Sequence, residues 1–537
     1  MKKARIGLVA AITVAGVAVA LTGCANSGAG SSNAKTLTIG TTDKITTIDP
    51  AGSYDNGSFA VETQVYPFLM TTKAGSSNVT PDIATSASFT SPSEYTVKLK
   101  SGLKFANGNK LTASDVKFSF DRVVKINDAN GPASLLANLD TVTTSGDQTV
   151  VFHLKSPNDQ TFPQVLTSPA GPIVDEQSFS ADKLTPDTTI VKKKAFAGQY
   201  QITSYKINSL IAYQPYDGYK GLLGKPDNDG VNVKYYADSS NLKLDVQKGN
   251  VDVAYRSLLP TDIASLSKDK DLQVVKGPGG EIRYIVFNFD TQPFGAKTPT
   301  ADPAKALAVR QAAADLIDRS ALAQQVYKGT YTPLFSVVPN GLTGATTPLK
   351  SLYGDGNGGP SLDKAKARLA AAGVTTPIEL KLQYNSDHYG EASSDEYALI
   401  KSQLENGGLF KVDLQSTEYT QYAKDRTADV YPAYQLGWFP DFSDADNYLT
   451  PFFTANNFLK NHASDPVLEQ LIQAEATEPN AAKRTDLIKQ AQEQQAKQLS
   501  TLPYLQGSQV LVGGKDVKFA PNTLDASFKF RYGMVSK

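Results

Sequence analysis

A mixed α/β fold in two or more lobes is what this sequence predicts, and three observations predict it. The chain runs to 537 residues, well beyond the roughly 100–200 of one domain, so it has length enough for more than one core. Segments with apolar residues at period two, the mark of half-buried strands, interleave along the whole length with segments rich in helix formers. No fixed-period repeat interrupts that mixture.

The first element is a leader rather than part of the fold. Lys2, Lys3 and Arg5 precede an apolar run from Ile6 to Leu21 built largely of Ala and Val, which predicts a secretion signal over residues 1–23. Its end, "LTGC" from Leu21 to Cys24, resembles the lipobox of bacterial lipoproteins, in which a small residue precedes a cysteine that is lipidated and becomes the new first residue. Cys24 is the only cysteine in the chain, so no internal disulfide can form. Residues 24–35 are rich in Gly, Ser, Asn and Ala, a composition too polar and flexible to pack, and are expected to be a tether.

"TLTIGTTD" at Thr36–Asp43 alternates like a strand, and "IDPAGSYDNGS" then clusters turn residues, so a surface loop is expected there. Tyr95, Val97 and Leu99, then Val150, Phe152 and Leu154, fall at period two in two further strands. Between them, Thr112 and Asp115 have capping-box spacing and predict a helix with Val116, Phe120 and Val123 facing inward. The stretches Pro303–Tyr327 and Pro360–Gly373 each read as a helix, the second closed by a glycine at the position after the helix end. Ser464–Leu499 offers two more, the first with Asp465 as N-cap and Pro466 at the first helical position. "LPYLQGSQVLVGGKDVKF" near the C-terminus returns to strand character.

Composition and motif tests exclude several function classes. Hydrophobic residues make up 40% and charged residues 20%, and beyond the leader no apolar run reaches the 18 or so residues of a membrane span. Lys+Arg and Asp+Glu both number 53, so there is no positive field to draw in nucleic acid. Without the leader's three cations the balance is only slightly negative. There is no Gly-x-Ser-x-Gly elbow, and the Ser-x-x-Lys pairs Ser114/Lys117 and Ser361/Lys364 fall on capping or helical segments without a Lys-Thr-Gly partner. Only three histidines occur, His153, His388 and His462, widely spaced and without the His-Glu-x-x-His pattern of a zinc site. P-loop spacing is absent, and the glycines from Gly277 to Gly280 lack the dinucleotide pattern. Asp441, Asp444 and Asp446 miss the ligand spacing of a calcium loop. Neither metal nor cofactor is expected.

Three segments, in order, resemble the large solute-binding proteins of peptide-importing ABC transporters, the dipeptide/oligopeptide-binding family 5. They are "GLKFANGNKLTASDVKFSFDRV" (Gly102 to Val123), "RYIVFNFDTQPFGA" followed by "AVRQAAADLIDRSAL", and "QLGWFPDFSDADNYLTPFF" around the single tryptophan, Trp438. The resemblance implies an α/β, two-lobed periplasmic-binding-protein-like fold of the hinged type II class, with an extra subdomain in lobe one. Lobe one would take residues 36–60, 187–286 and 504–537, the subdomain 61–186, and lobe two 287–503. Chain crossings near Asn288 and Pro503 would then form the hinge.

The resemblance also implies a function: a monomeric, non-enzymatic receptor, anchored by lipid at Cys24 to the outer face of the cell membrane, that hands short peptides to an ABC transporter permease. Within the same fold relatives take oligosaccharides, metal chelates or haem, and a peptide-sensing receptor is a further alternative. The aspartate three residues after the Gly-Trp pair, Asp441, would hold the peptide's α-ammonium, because a buried cation needs a fixed counter-charge. Gly437 and Phe439 would offer backbone groups to an extended peptide, and Trp438 a rigid apolar wall. Tyr434 and Gln435 would line the cleft, facing a first-lobe edge formed by Tyr54, Asn56, Gly57 and Ser58. Arg283 and His388 are candidates for the peptide carboxylate. Read from the residues alone, Asp441 remains equally a surface-loop acid and Trp438 a core residue, while Asp444 and Asp446 read as turn and helix-capping acids.

Overall fold

Two long strands, Leu272–Phe287 and Thr501–Gly514, run antiparallel and organise the molecule. The computed structural model describes residues 36–256, 258–455, 457–525 and 529–537; the leader, Cys24 and the tether lie outside the described residues. On one side of the long pair the sheet continues through Val253–Tyr255, Thr36–Thr41, Gly230–Tyr235, Leu210–Pro215 and Tyr200–Lys206. On the other it continues through Ala433–Trp438, Ile378–Asn385 and Phe410–Thr417.

The ladder between the long strands is interrupted. Pro278 pairs with Ser508, and the next pair is Ile282 opposite Gln506. Gly279 and Gly280 fill the gap because nothing larger fits: a Cβ on Gly279 would stand 2.3 Å from the Gly507 carbonyl oxygen, and one on Gly280 would stand 2.4 Å from Pro440. Side-chain amides span the break, with Gln506 Nε2 donating to the Gly279 carbonyl at 2.7 Å. The glycines around 277–280 thus serve a backbone crossing. A second register shift follows between Arg283 and Tyr284, opposite Leu505 and Pro503.

Period-two alternation builds lobe two's sheet as a middle layer. Ile282, Tyr284 and Val286 enter one core with Tyr434 and Leu436, while Ile285 and Phe287 enter the opposite core with Leu380 and Leu382. Both faces are covered, so these strands are apolar on both sides. Each such buried side chain contributes about 1.5–3 kcal/mol relative to exposure.

Residues 84–154 supply a separate four-stranded antiparallel sheet, Ala84–Ser91, Glu94–Leu99, Thr149–Leu154 and Leu139–Ser145 in that order. Helix Ala113–Ile126 packs on it through Val116, Phe120 and Val123, and its N-terminus has the expected capping box from Thr112 and Asp115. The helix Pro466–Thr477 is capped by Asp465 as its sequence requires, and Gly373 takes the left-handed φ of +63° after helix Leu362–Ala371.

Two local expectations change. The 303–327 helix stops at Leu316, where the backbone turns extended at Ile317 and Asp318, and Asp318 caps a new short turn by accepting from Ala321 N at 2.8 Å. The stretch 48–58 is no surface loop: Asp49 is fully buried and receives both Arg122 terminal nitrogens, at 2.7 and 2.6 Å. Asp55 then caps helix Asn56–Val65 by accepting from Ser58 N at 2.8 Å.

Candidate functional site

Between the two flanks of the long strands lies a cavity of about 510 Å³, within the size range of small-solute sites. Arg256, Leu258 and Gln509 line it from the lobe-one flank, and Glu281, Tyr331 and Phe439 from the other. A wider depression of about 570 Å³ over Lys401, Glu405 and Gly407 is open to solvent and has no facing wall. The interlobe cavity is the more closed of these two and is walled from both flanks.

Charges alternate across the cavity floor. Arg256 approaches Asp43 at 3.8 Å. Arg283 meets Glu281 at 3.2 Å and the fully buried Glu396 at 3.2 Å. It also donates to Tyr331 Oη at 3.1 Å and the Tyr389 carbonyl at 2.5 Å, within a cage of Tyr327, Tyr331 and Tyr389 rings. Its guanidinium is thus committed to the protein, so it is a poor counter-ion for a solute. His388 stacks on Tyr419 at 3.8 Å, and burial lowers its pKa, which keeps it neutral and removes it as a cation.

The alternation of strand Ala433–Trp438 sorts the expected site residues. Tyr434, Leu436 and Trp438 point to the lobe-two core on one face. Trp438 packs edge-on against Phe452 with centroids 4.9 Å apart and donates its indole N–H to Asn447 Oδ1 at 3.0 Å. It does not line the cavity; its neighbour Phe439 does. Tyr434 is fully buried, its hydroxyl donating to the Leu459 carbonyl at 3.0 Å. Gln435, also fully buried, bonds to Asn385, Ser393 and Glu396 beneath Arg283. Both are corrected from cleft lining to supporting structure. The Gly437 carbonyl accepts from Tyr389 Oη at 3.2 Å while its residue pairs with Arg283 in the sheet.

The first-lobe edge is also revised. Gly57 abuts the chain at Lys44, where a Cβ would come within 1.8 Å of the carbonyl oxygen. Ser58 is fully buried against Thr46, its Oγ accepting from Thr46 N at 3.0 Å. Neither can face a solute, because helix formation turns them inward. Asn56 lines a small cleft beside the main cavity.

Tyr54 and Asp441 meet across the interlobe gap. Tyr54 Oη donates to Asp441 Oδ1 at 2.5 Å, and Asn447 Nδ2 donates to Oδ2 at 3.1 Å. Asn447 Oδ1 in turn accepts from the Asp441 backbone N–H at 2.9 Å, which fixes the turn. Burial raises the Asp441 pKa above the usual aspartate range, and the two side-chain hydrogen bonds only partly offset it. Among the described residues no lysine or arginine pairs with this carboxylate. Asp444 accepts from Asp446 N at 2.9 Å as a turn cap and is held by the Arg484 guanidinium.

Residues 78–460 match the family model described as bacterial extracellular solute-binding proteins, family 5 Middle. The chain belongs to this family. Its fold is the two-lobed α/β fold of type II periplasmic binding proteins. The dipeptide-binding protein of Escherichia coli (strain K12) is 25% identical over 463 residues, 80% of this chain and 81% of that protein. Heme-binding protein A of Haemophilus influenzae is 25% identical over 469 residues, 80% of this chain and 79% of that one. The solved DppA of Helicobacter pylori in complex with peptide STSA superposes with a TM-score of 0.71 at 19% identity, covering 93% of this chain and 98% of that chain. These relatives are named as binding proteins and not as enzymes. Among the described residues, no helix is long and apolar enough to cross a membrane.

Sequence reasoning did not find Arg256 or Glu281, which line the cavity. Arg256 sits at φ +59°, in the left-handed region where a residue other than glycine is strained, and no motif announces that geometry.

Proposed function

We propose that this family 5 protein captures short peptides in the interlobe cavity and delivers them to the permease of an ABC importer, held to the outer face of the membrane by lipid at Cys24. The observation that carries the peptide reading is the Asp441 carboxylate. It is half-buried, met from the opposite flank by Tyr54, and bonded only to neutral donors. A solute ammonium replacing the Tyr54 hydroxyl would supply the missing counter-charge and strengthen the bond, since charge-assisted hydrogen bonds are about twice as strong as neutral ones.

Closure then follows from linkage. A solute touching both flanks favours the closed arrangement by as much as it binds that form better. Phe439 would form the apolar wall assigned at first to Trp438. Gly437 keeps a lesser part, because its carbonyl already serves Tyr389.

Native mass spectrometry of the freshly purified protein tests this reading. Peptide masses that disappear on partial unfolding support it, and a haem or metal-chelate mass replaces it with the second reading. That second reading rests on the equal identity to a relative named as a haem-binding protein.

A further inference from the structure

A second, smaller cleft of about 20 Å³ adjoins the Asp441 contact, lined by Asn56 and Lys529 from one side, Pro440 from the other, and Arg256 at the passage into the main cavity. Pro440 immediately precedes Asp441, and Asn56 lies two residues past Tyr54, so the cleft sits beside the point where the proposed ammonium would be held. Its lining contains two cations and no carboxylate. The Lys529 ammonium lies over the Phe59 and Phe68 rings, at 5.7 and 5.6 Å, and donates to the Thr167 carbonyl at 3.0 Å. Burial, with Arg531 adding to it, lowers its pKa to about 8 although Asp525 and Asp82 act in the opposite direction, so this ammonium is desolvated.

Resting on the peptide reading above, we propose that this cleft receives a solute carboxylate between Arg256 and Lys529, supplied by an acidic side chain on the peptide's first residue. Three features converge on it. A peptide whose α-ammonium meets Asp441 projects its first side chain within a few ångströms of that carboxylate, where the cleft opens. Arg256, which also approaches Asp43, borders both the cleft and the main cavity, so an anion entering from the cavity meets it. Arg256 is held at a φ of +59°, a kind of strain that collects at ligand clamps. The cleft's volume of about 20 Å³ is on the scale of one small polar group, enough for the tip of a carboxylate.

The test is calorimetric titration of the purified protein with Glu-Ala-Ala, Gln-Ala-Ala and Glu-Ala-Ala amide. The wild type should bind the Glu-headed peptide tighter than the Gln-headed one by roughly tenfold or more, the scale of a hydrogen bond to a charged group. Lys529→Met, outside the main cavity lining, should shrink that preference while leaving the affinity for Gln-Ala-Ala nearly unchanged, and Arg256→Gln should shrink the ratio of the two affinities. Binding of Gln-Ala-Ala also reports that each variant is folded. Equal losses for both peptides in the variants, or no preference in the wild type, would overturn the assignment. A penalty confined to the amide would place the carboxylate at the chain end and overturn the first-residue placement. Failure of all three peptides to bind the wild type would instead strike the peptide reading itself.

Discussion

Replacing Asp441 with asparagine removes one charge and almost no volume, which makes it the cleanest perturbation of the site. In the unliganded protein the introduced amide can still accept from one neighbour, Tyr54 or Asn447, while its NH2 group faces the other, so the local turn held by the 2.9 Å bond from the Asp441 backbone to Asn447 persists. The loss therefore falls on solute binding. Unit charges about 4 Å apart attract by about 4 kcal/mol at an effective dielectric of 20. Displacing the Tyr54 hydroxyl from Asp441 Oδ1 offsets about 1–2 kcal/mol of that. What remains is about 2–3 kcal/mol, or roughly a 30- to 150-fold weaker Kd. Isothermal titration of wild type and variant with a free tripeptide and its N-acetyl form makes the comparison a double-perturbation cycle. The free peptide should lose affinity in the variant and the acetylated one should bind weakly to both. Equal affinity of wild type and variant for the free peptide would refute the ammonium assignment.

Four further outcomes follow from the same geometry. Affinity should fall as pH drops through the Asp441 value of the free protein, which burial places above the usual aspartate range: solute pairing favours the ionised form, so protons compete with it, and the acid limb should flatten in Asp441→Asn. Tyr54→Phe removes the hydroxyl that joins the two flanks and should shift the unliganded protein toward an open form, seen as a larger radius of gyration in small-angle scattering, by about 1 kcal/mol of equilibrium. Arg122→Met leaves the Asp49 carboxylate buried without its fork and should reduce stability by roughly 3–5 kcal/mol in urea denaturation. Gly57→Ala drives a methyl into the Lys44 carbonyl and should destabilise by about 1–3 kcal/mol in the same assay.

Elements whose signals are local could be read from the sequence. The strands Thr36–Thr41, Glu94–Leu99 and Thr149–Leu154, the capping box at Thr112 and the Asp465–Pro466 helix start all depend on neighbours within a few residues. The interruption after Leu316 is not legible because the helix formers continue past it, and only the extended backbone at Ile317 and Asp318, with Asp318 recapping the next turn, decides the break. The stretch 48–58 looks like a loop in composition, yet Arg122 draws Asp49 into the interior.

Side-chain direction was the hardest part of the site to read. "QLGWFPD" identifies a strand running into a turn, but which of Trp438 and Phe439 faces the cavity is set by which face of the sheet meets Phe452 and Tyr284. Asp441 and Tyr54, far apart in the chain, are brought together only by the crossing of the two long strands. Arg256 and Lys529 enter the site from other segments, and neither belongs to a recognisable pattern.

The most direct measurement is a crystal structure of the protein with a bound peptide. It should show the peptide's terminal nitrogen within about 2.7–3.0 Å of an Asp441 carboxylate oxygen, with the Tyr54 hydroxyl moved off that oxygen. A peptide seated in the cavity while the bond from Tyr54 to Asp441 stays intact and the terminal nitrogen lies elsewhere would contradict the account.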